Sequence, residues 1–400
     1  MSFVGGRAPR FYVIAGEASG DALGAGLIQG LKQLTNGAAE FRGIGGEQMR
    51  EEGVESLFPI SEMAVMGLFE ILPKAPKMLG RIAETVDDIH RFKPDAVITI
   101  DSKAFTLRVQ KRLHKARVRS GETSPKLIHW VPPTVWAWRP GRAKVIARFL
   151  DHLLTLYPFE PKFFQPFGLS ATFVGHPAAA REQGDGASFR GRYGIKPDAK
   201  VLGIMPGSRP AEVRYLKERF SEAASRLHRR YPELHIVVPT VPVVRALVEE
   251  MVSSWPGKVT LVHDHMHKQS AFAAMDLALA ASGTVTLELG LAEVPMIVAY
   301  RVHPVTAFIL RRLVDPTKIV LANALLEKPI IPQLLQEDCT ADKIVIELEK
   351  MLDDPIYRDQ QTSASKEVRK LLTADGELPT YRAARTVLEQ IGITSSDLTK

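Results

Sequence analysis

Short apolar runs alternating with longer helical patterns fill most of the chain. In the first half the runs are Phe11 to Ile14, Phe41 to Ile44, Ala96 to Ile100, Leu127 to Val131, Leu153 to Leu156 and Thr172 to Val174. In the second they are Val201 to Met205, His235 to Val238, Val259 to Val262, Leu277 to Ala280 and Met296 to Tyr300. A short continuous apolar run suits a strand whose sheet is covered on both faces, so each half predicts a doubly wound α/β domain with a parallel sheet. Gly175 to Lys200, with Gly184-Asp-Gly186 and little apolar periodicity, reads as the linker between them. The expected domains are 1–177 and 190–355. After Asp338 the pattern is helical over Ala341 to Leu352, Ile356 to Leu372 and Thr380 to Ile391, a tail that can rejoin the first domain.

The polar turns that follow these strands are where chemistry is expected. In open α/β sheets ligands sit beyond the carboxyl ends of the strands, where helix N-termini attract anions. Ala15-Gly-Glu-Ala-Ser-Gly-Asp21 follows the first run and carries Glu17, Ser19 and Asp21, and Asp101 ends the third. A carboxylate in such a turn is either a helix cap or a general base, and spacing alone leaves both open. Gly207-Ser208-Arg209 combines main-chain donors, a hydroxyl and a guanidinium suited to phosphate, or is a plain capped turn. Ser282-Gly283-Thr284 opens another helix, with Glu288 one turn on. There donors would hold a pyrophosphate while Glu288 accepts the ribose hydroxyls, or Glu288 merely pairs with a neighbouring helix. Neither turn reads G-x-G-x-x-G, which weakens a nicotinamide-dehydrogenase reading and favours a nucleotide-sugar site. No metal-binding histidine pair, G-x-S-x-G elbow or P-loop occurs, and no metal or cofactor is expected. His129, His176 and His265 read as structural.

Composition narrows the partners. Lys and Arg number 52 against 45 Asp and Glu, a net charge of +7 that favours anionic partners. Basic residues gather at Arg108 to Arg119, Arg139 to Arg148 and Arg311-Arg312, yet no zinc-finger spacing or aromatic RNA-binding signature accompanies them, so nucleic acid is not expected. Glu70, Glu288 and Glu293 interrupt the best apolar stretches, and no secretory signal pattern follows Arg7 and Arg10. Cys339 is the single cysteine, which fits a reducing cytoplasm. Met63 to Leu79 stands apart: large apolar residues, including Val65, Met66, Leu68, Phe69 and Leu72, are interleaved with Lys74, Lys77, Pro73 and Pro76. The prolines argue against a regular core helix, and the composition suits either core or contact with an anionic bilayer. Trp136 and Trp138 either line the crevice or anchor their loop.

Taken in order, Ala15-Gly-Glu-Ala-Ser-Gly-Asp21, Ala64-Val-Met-Gly67, Val135-Trp-Ala-Trp-Arg139, Pro206-Gly-Ser-Arg209 and Ala281-Ser-Gly-Thr284 resemble the lipid-A-disaccharide synthases, bacterial membrane-associated glycosyltransferases, over nearly the whole chain. The tryptophan run among flanking turns at family-like spacing is the specific part of the match. The resemblance implies a GT-B-like pair of Rossmann-like domains facing a cleft. It further implies inverting transfer of a diacylglucosaminyl group from UDP-diacylglucosamine to diacylglucosamine 1-phosphate at the cytoplasmic face of the inner membrane. Asp101 matches the family's candidate base, and Glu17, a second catalytic candidate, and Ser19 match the acceptor side or reacting centre. Ser208, Arg209, Ser282, Gly283, Thr284, Glu288 and Asn323 match UDP-binding positions. Ile100-Asp-Ser-Lys-Ala-Phe-Thr-Leu107 departs from the usual Asp-Ala-Pro-Asp-Phe-Asn, leaving Asp101 alone to supply the carboxylate. A UDP-sugar epimerase on a similar scaffold and a non-catalytic peripheral membrane protein are the alternatives, and a homodimer is left open.

Overall fold

The computed structural model describes residues 7–63, 68–137, 140–263, 267–304, 306–308 and 319–394, with the backbone alone over 68–75. The chain divides into two compact units, Met1–Ala180 with Leu372–Lys400, and Arg181–Leu371.

In the first unit β1 (Arg10–Ala15), β2 (Glu40–Ile44), β3 (Ala96–Ile100), β4 (Lys126–Trp130), β5 (His152–Thr155) and β6 (Ser170–Phe173) form a sheet in the order β2-β1-β3-β4-β5-β6. Every pairing is parallel. The connections supply α1 (Ala18–Leu34), α2 (Glu47–Glu51), α3 (Leu68–Phe92), α4 (Lys103–Ser120) and α5 (Arg142–Ile146). Strand β1 explains why its sequence is apolar without alternation. Phe11, Val13 and Ala15 pack on one face with Leu27, Ile28 and Leu31 of α1, while Tyr12 and Ile14 pack on the other with Ile82 of α3 and Val109 of α4.

The helix Pro379–Gln390 completes the first of these layers, placing Ala383, Ala384, Val387 and Leu388 in the core that α1 covers. Glycine is required for that approach. A Cβ on Gly26 would lie 2.6 Å from Thr380 Cγ2, and one on Gly30 would lie 2.9 Å from Ala384 Cβ. Two interior glycines weaken α1 by roughly 1 kcal/mol each relative to alanine, and close packing is what they gain.

The second unit pairs β7 (Val201–Met205), β8 (His235–Pro239), β9 (Lys258–Val262), β10 (Leu277–Ala280), β11 (Met296–Tyr300) and β12 (Gln333–Leu335) in the order β12-β11-β10-β7-β8-β9, again all parallel. Read from β9, this is the dinucleotide-binding strand order. Helices α6 (Gly186–Arg192), α7 (Pro210–Arg230), α8 (Arg245–Val252), α9 (Lys268–Ala273) and α10 (Thr284–Leu291) flank the sheet. Leu202, Ile204, Leu216, Phe220, Leu277 and Leu279 lie in its core. The expected fold class, two doubly wound Rossmann-like domains with a helical C-terminal tail, is the one found.

Three local expectations fail. The stretch read as a bare linker contains α6, because Asp185 accepts a hydrogen bond from the Ser188 N–H at 2.9 Å and Phe189 is buried. Strand β12 escapes the sequence because it is a three-residue, half-buried edge. Helix α3 runs through Pro73 and Pro76 despite the two N–H donors they lack. Its later turns bury Met78, Ile82, Thr85, Asp88 and Ile89, and that packing outweighs the local penalty. Val65 and Met66 lie outside the described residues, and Leu68, Phe69 and Leu72 belong to the part of α3 described by backbone alone. Among the described residues no helix is long and apolar enough to cross a membrane.

Candidate functional site

Strand order reverses once in each sheet, between β1 and β3 in the first unit and between β7 and β10 in the second. Such switch points open the crevice in which α/β proteins bind ligands. Strands β1 and β3 lead into Gly16-Glu17 and Asp101, and β7 and β10 lead into Pro206 to Arg209 and Ala281 to Thr284. The sequence-predicted turns are therefore the four that flank the reversals.

In the first unit the two turns abut. A Cβ on Gly16 would lie 2.0 Å from Ser102 Cβ, so position 16 must be glycine for the turns to meet. Asp101 and Ser102 both adopt left-handed backbone, at φ 44° and 43°, and Val131 at the end of β4 does so at φ 66°. Successive non-glycine residues in that region store strain of about 1–3 kcal/mol each, a recurrent mark of functional turns. The Asp101 main chain is fixed at both ends: its N–H donates to the Trp130 carbonyl at 3.0 Å, and its carbonyl accepts from Thr106 Oγ1 at 2.6 Å. The carboxylate pairs through Oδ1 with Lys103 Nζ at 3.0 Å. Glu17, at the N-cap of α1, is exposed and makes no capping bond, and Ser19 is exposed two residues on. Asp21 has a different task. It is 4% exposed and accepts from the N–H groups of Gly46, Gln48 and Met49 at 2.6, 3.0 and 3.2 Å, holding the start of α2.

Beside this turn lies a residue that sequence reasoning passed over. Glu160 is 2% exposed and accepts from the Leu156 and Tyr157 N–H groups at 3.0 and 3.1 Å and from Trp136 Nε1 at 3.2 Å. Burial pushes its carboxyl up to about 7, against the opposing effect of these hydrogen bonds and of the Lys103 charge. Trp136 meets Tyr157 and Phe159 edge-on, and Tyr157 stacks on Phe159 and on His176. Trp136 thus anchors its loop, and Trp138 and Arg139 lie outside the described residues. His129 is fully buried against Thr99 Oγ1 at 2.8 Å, and burial, then the Lys103 charge, pushes it down to about 3, so it stays neutral. His265 lies outside the described residues.

In the second unit, glycines take the left-handed positions. Gly207 has φ 114° and Gly283 φ 134°. Gly283 precedes α10, and a Cβ there would meet nothing within 4 Å, so backbone conformation alone requires the glycine. The Ser208 and Arg209 N–H groups are already engaged, donating to Glu212 Oε2 at 3.0 and 3.2 Å. Arg209 also pairs with Glu212 Oε1 at 3.1 Å, while 77% of its side chain remains exposed. This fold-back of Glu212 is the third-residue glutamate of a capping box, a signal present in the sequence. Glu288 pairs through Oε2 with Lys268 at 2.6 Å. Ser282, Gly283 and Thr284 are partly or fully exposed. Asn323 differs: it is 4% exposed, and its amide clamps the Ile331 main chain by bonds of 2.8 and 2.9 Å. Its side chain is committed to structure rather than offered to a ligand.

Comparison with known proteins gives a family and a fold. The family model for lipid-A-disaccharide synthetase matches residues 11–387. The chain is 47% identical to the lipid-A-disaccharide synthase of Rhodospirillum centenum, over 95% of this chain and 94% of that one. It is 46% identical to the lipid-A-disaccharide synthase of Paramagnetospirillum magneticum, over 95% and 97%. Among solved structures it resembles S. aureus MnaA in a co-structure with UDP, with a TM-score of 0.65 at 14% identity, covering 97% of this chain and 98% of that one. It also resembles the UDP-GlcNAc 2-epimerase of Neisseria meningitidis bound to UDP-GlcNAc, with a TM-score of 0.59 at 13% identity over 90% and 98%. The structural likeness is one of fold.

Proposed function

The chain belongs to the lipid-A-disaccharide synthase family, and we propose that it moves the 2,3-diacylglucosaminyl group of UDP-2,3-diacylglucosamine onto the 6-hydroxyl of 2,3-diacylglucosamine 1-phosphate. The products are lipid A disaccharide 1-phosphate and UDP. Family membership supports the choice of substrates, and the unlike chemistry at the two switch points supports the roles. In a single inverting displacement Asp101 takes the proton of the acceptor hydroxyl as that oxygen bonds the donor's anomeric carbon. The bond from that carbon to the diphosphate breaks, with its electron pair leaving on UDP.

Arg209 and the main-chain donors at the start of α10, from Gly283 and Thr284, receive the developing charge. Ser208 and Ser282 add hydroxyls. Glu288 accepts a ribose hydroxyl through Oε1, its other oxygen being held by Lys268. Glu17 and Ser19 face the acceptor. The first unit is then the acceptor unit and the second the UDP-sugar unit.

The supporting observation is the Asp101 carboxylate: at a strained strand end, one oxygen is bonded by Lys103 and no described residue bonds the other. Incubating purified protein with the two lipids and identifying the product by mass tests the reading. A disaccharide 1-phosphate with stoichiometric UDP is expected, and epimerised UDP-sugar without transfer would replace this function by the epimerase one.

Both substrates carry acyl chains, each methylene of which favours the bilayer by about 0.8 kcal/mol, so the reaction belongs at the inner-membrane surface on its cytoplasmic face. Two features support a docking face: the apolar composition of Met63 to Leu79, and the exposed Arg108, Lys111, Arg112 and Lys115 on α4, which packs against α3. Replacing Val65, Leu68, Phe69 and Leu72 by serine should release the protein from anionic vesicles. Unchanged partition would remove this face from consideration.

A further inference from the structure

Lys103 is the first residue of α4, whose first turn holds no acid. A cation at a helix start opposes the macrodipole by roughly 0.3–1 kcal/mol, so the helix itself does not favour a lysine there. Its reason lies two residues back, where its Nζ meets Asp101 Oδ1 at 3.0 Å. The Asp101 main chain is already fixed by Trp130 and Thr106, which leaves the two side-chain torsions as the freedom of this carboxylate. The bond from Lys103 removes much of it. The lysine charge also reaches the buried Glu160, which Trp136 and two main-chain N–H groups hold in place, and slightly opposes the upward push of burial on that carboxyl.

We propose that Lys103 is the positioning residue of Asp101: its ammonium fixes one carboxylate oxygen and leaves the other to take the acceptor's proton. This rests on the reading of Asp101 as the base. The charged and titratable groups around the pair are Asp101, Glu160, Tyr157, which burial keeps protonated, and His129, which burial keeps neutral.

The test is Lys103→Met in the full-length protein, with Lys103→Arg as the conservative partner and Asp101→Asn alongside. Misplacing a reacting group by about 1 Å costs near 100-fold in rate, so Lys103→Met should lower kcat about 10- to 100-fold with acceptor KM unchanged, and Lys103→Arg should recover part of it. A second readout does not depend on turnover. Glu160 accepts from Trp136, so its ionisation should appear in the pH-dependent fluorescence that Trp136→Phe abolishes. Losing the lysine charge should move that midpoint upward. Wild-type kcat and an unmoved midpoint in Lys103→Met, with Asp101→Asn inactive, would overturn the proposal alone. A raised acceptor KM at wild-type kcat would also overturn it, making Lys103 a ligand for the acceptor phosphate. Wild-type turnover by Asp101→Asn would instead remove the base reading itself.

Discussion

The two switch points solve the same backbone problem with opposite materials. Where the second unit must turn through left-handed backbone it uses glycine, at Gly207 and Gly283, and keeps the turn nearly free of strain. Where the first unit does so it uses Asp101 and Ser102, residues that resist that conformation. The difference matches the roles proposed above for the two turns. For a diphosphate the second unit would offer the main-chain N–H groups at the start of α10, which a glycine leaves uncovered, and for a proton the first unit would offer the Asp101 side chain at the cost of strain. The electrostatic settings diverge likewise: the first unit buries a carboxyl that titrates near neutrality, whereas Glu212 in the second is tied to helix donors.

Four substitutions probe this contrast. The largest effect is expected of Asp101→Asn, which should lower turnover by about 10²–10⁴-fold while leaving UDP affinity intact in calorimetry. Weakened UDP binding would mean that the two turns do not divide the chemistry as described. Arg209→Ala should lower kcat by about 10²–10³-fold, as loss of one preorganised charge-stabilising donor does, with no change in melting temperature because the side chain is mostly exposed.

Glu160→Gln addresses the buried carboxyl. With its pKa raised from 4.5 to about 7 by burial, the folded protein keeps a proton that the unfolded chain has released between those values. Stability is therefore lost as pH rises across that window, on the order of 3 kcal/mol. Denaturant titrations at pH 5 and pH 8 should show this loss in the wild type and little of it in the glutamine variant; equal slopes in both would remove Glu160 as its source. Gly283→Ala should have the smallest effect, about 1–3 kcal/mol of strain felt as weaker UDP binding with acceptor KM untouched. An unaltered UDP affinity would mean that this turn need not be left-handed when ligand binds.

Much of this was legible in the chain. Buried parallel strands announce themselves as unbroken apolar runs, and polar turns at their carboxyl ends locate the site, because both depend on local pattern. What escaped depends on partners distant in sequence. That Asp21 caps α2 rather than its own helix is visible only once Gly46 to Met49 fold beneath it. Asn323 matches a ligand position by spacing, yet its amide is taken by Ile331. Glu160 looks like one more surface acid until Trp136 covers it. Lys103 and Glu212 carry local signals, a cation where a helix starts and a glutamate three residues past an N-cap position.

The seating of Pro379–Gln390 against Gly26 and Gly30 bears on how the protein is made. A ribosome releases the whole of the second unit before the segment that finishes the first. The earliest-synthesised core must therefore wait, with one face of α1 uncovered, until codons 379 to 390 are read. A premature stop shortly before codon 379 would spare Asp101, Arg209 and Glu288 and still leave the unit that carries Asp101 without its closing layer.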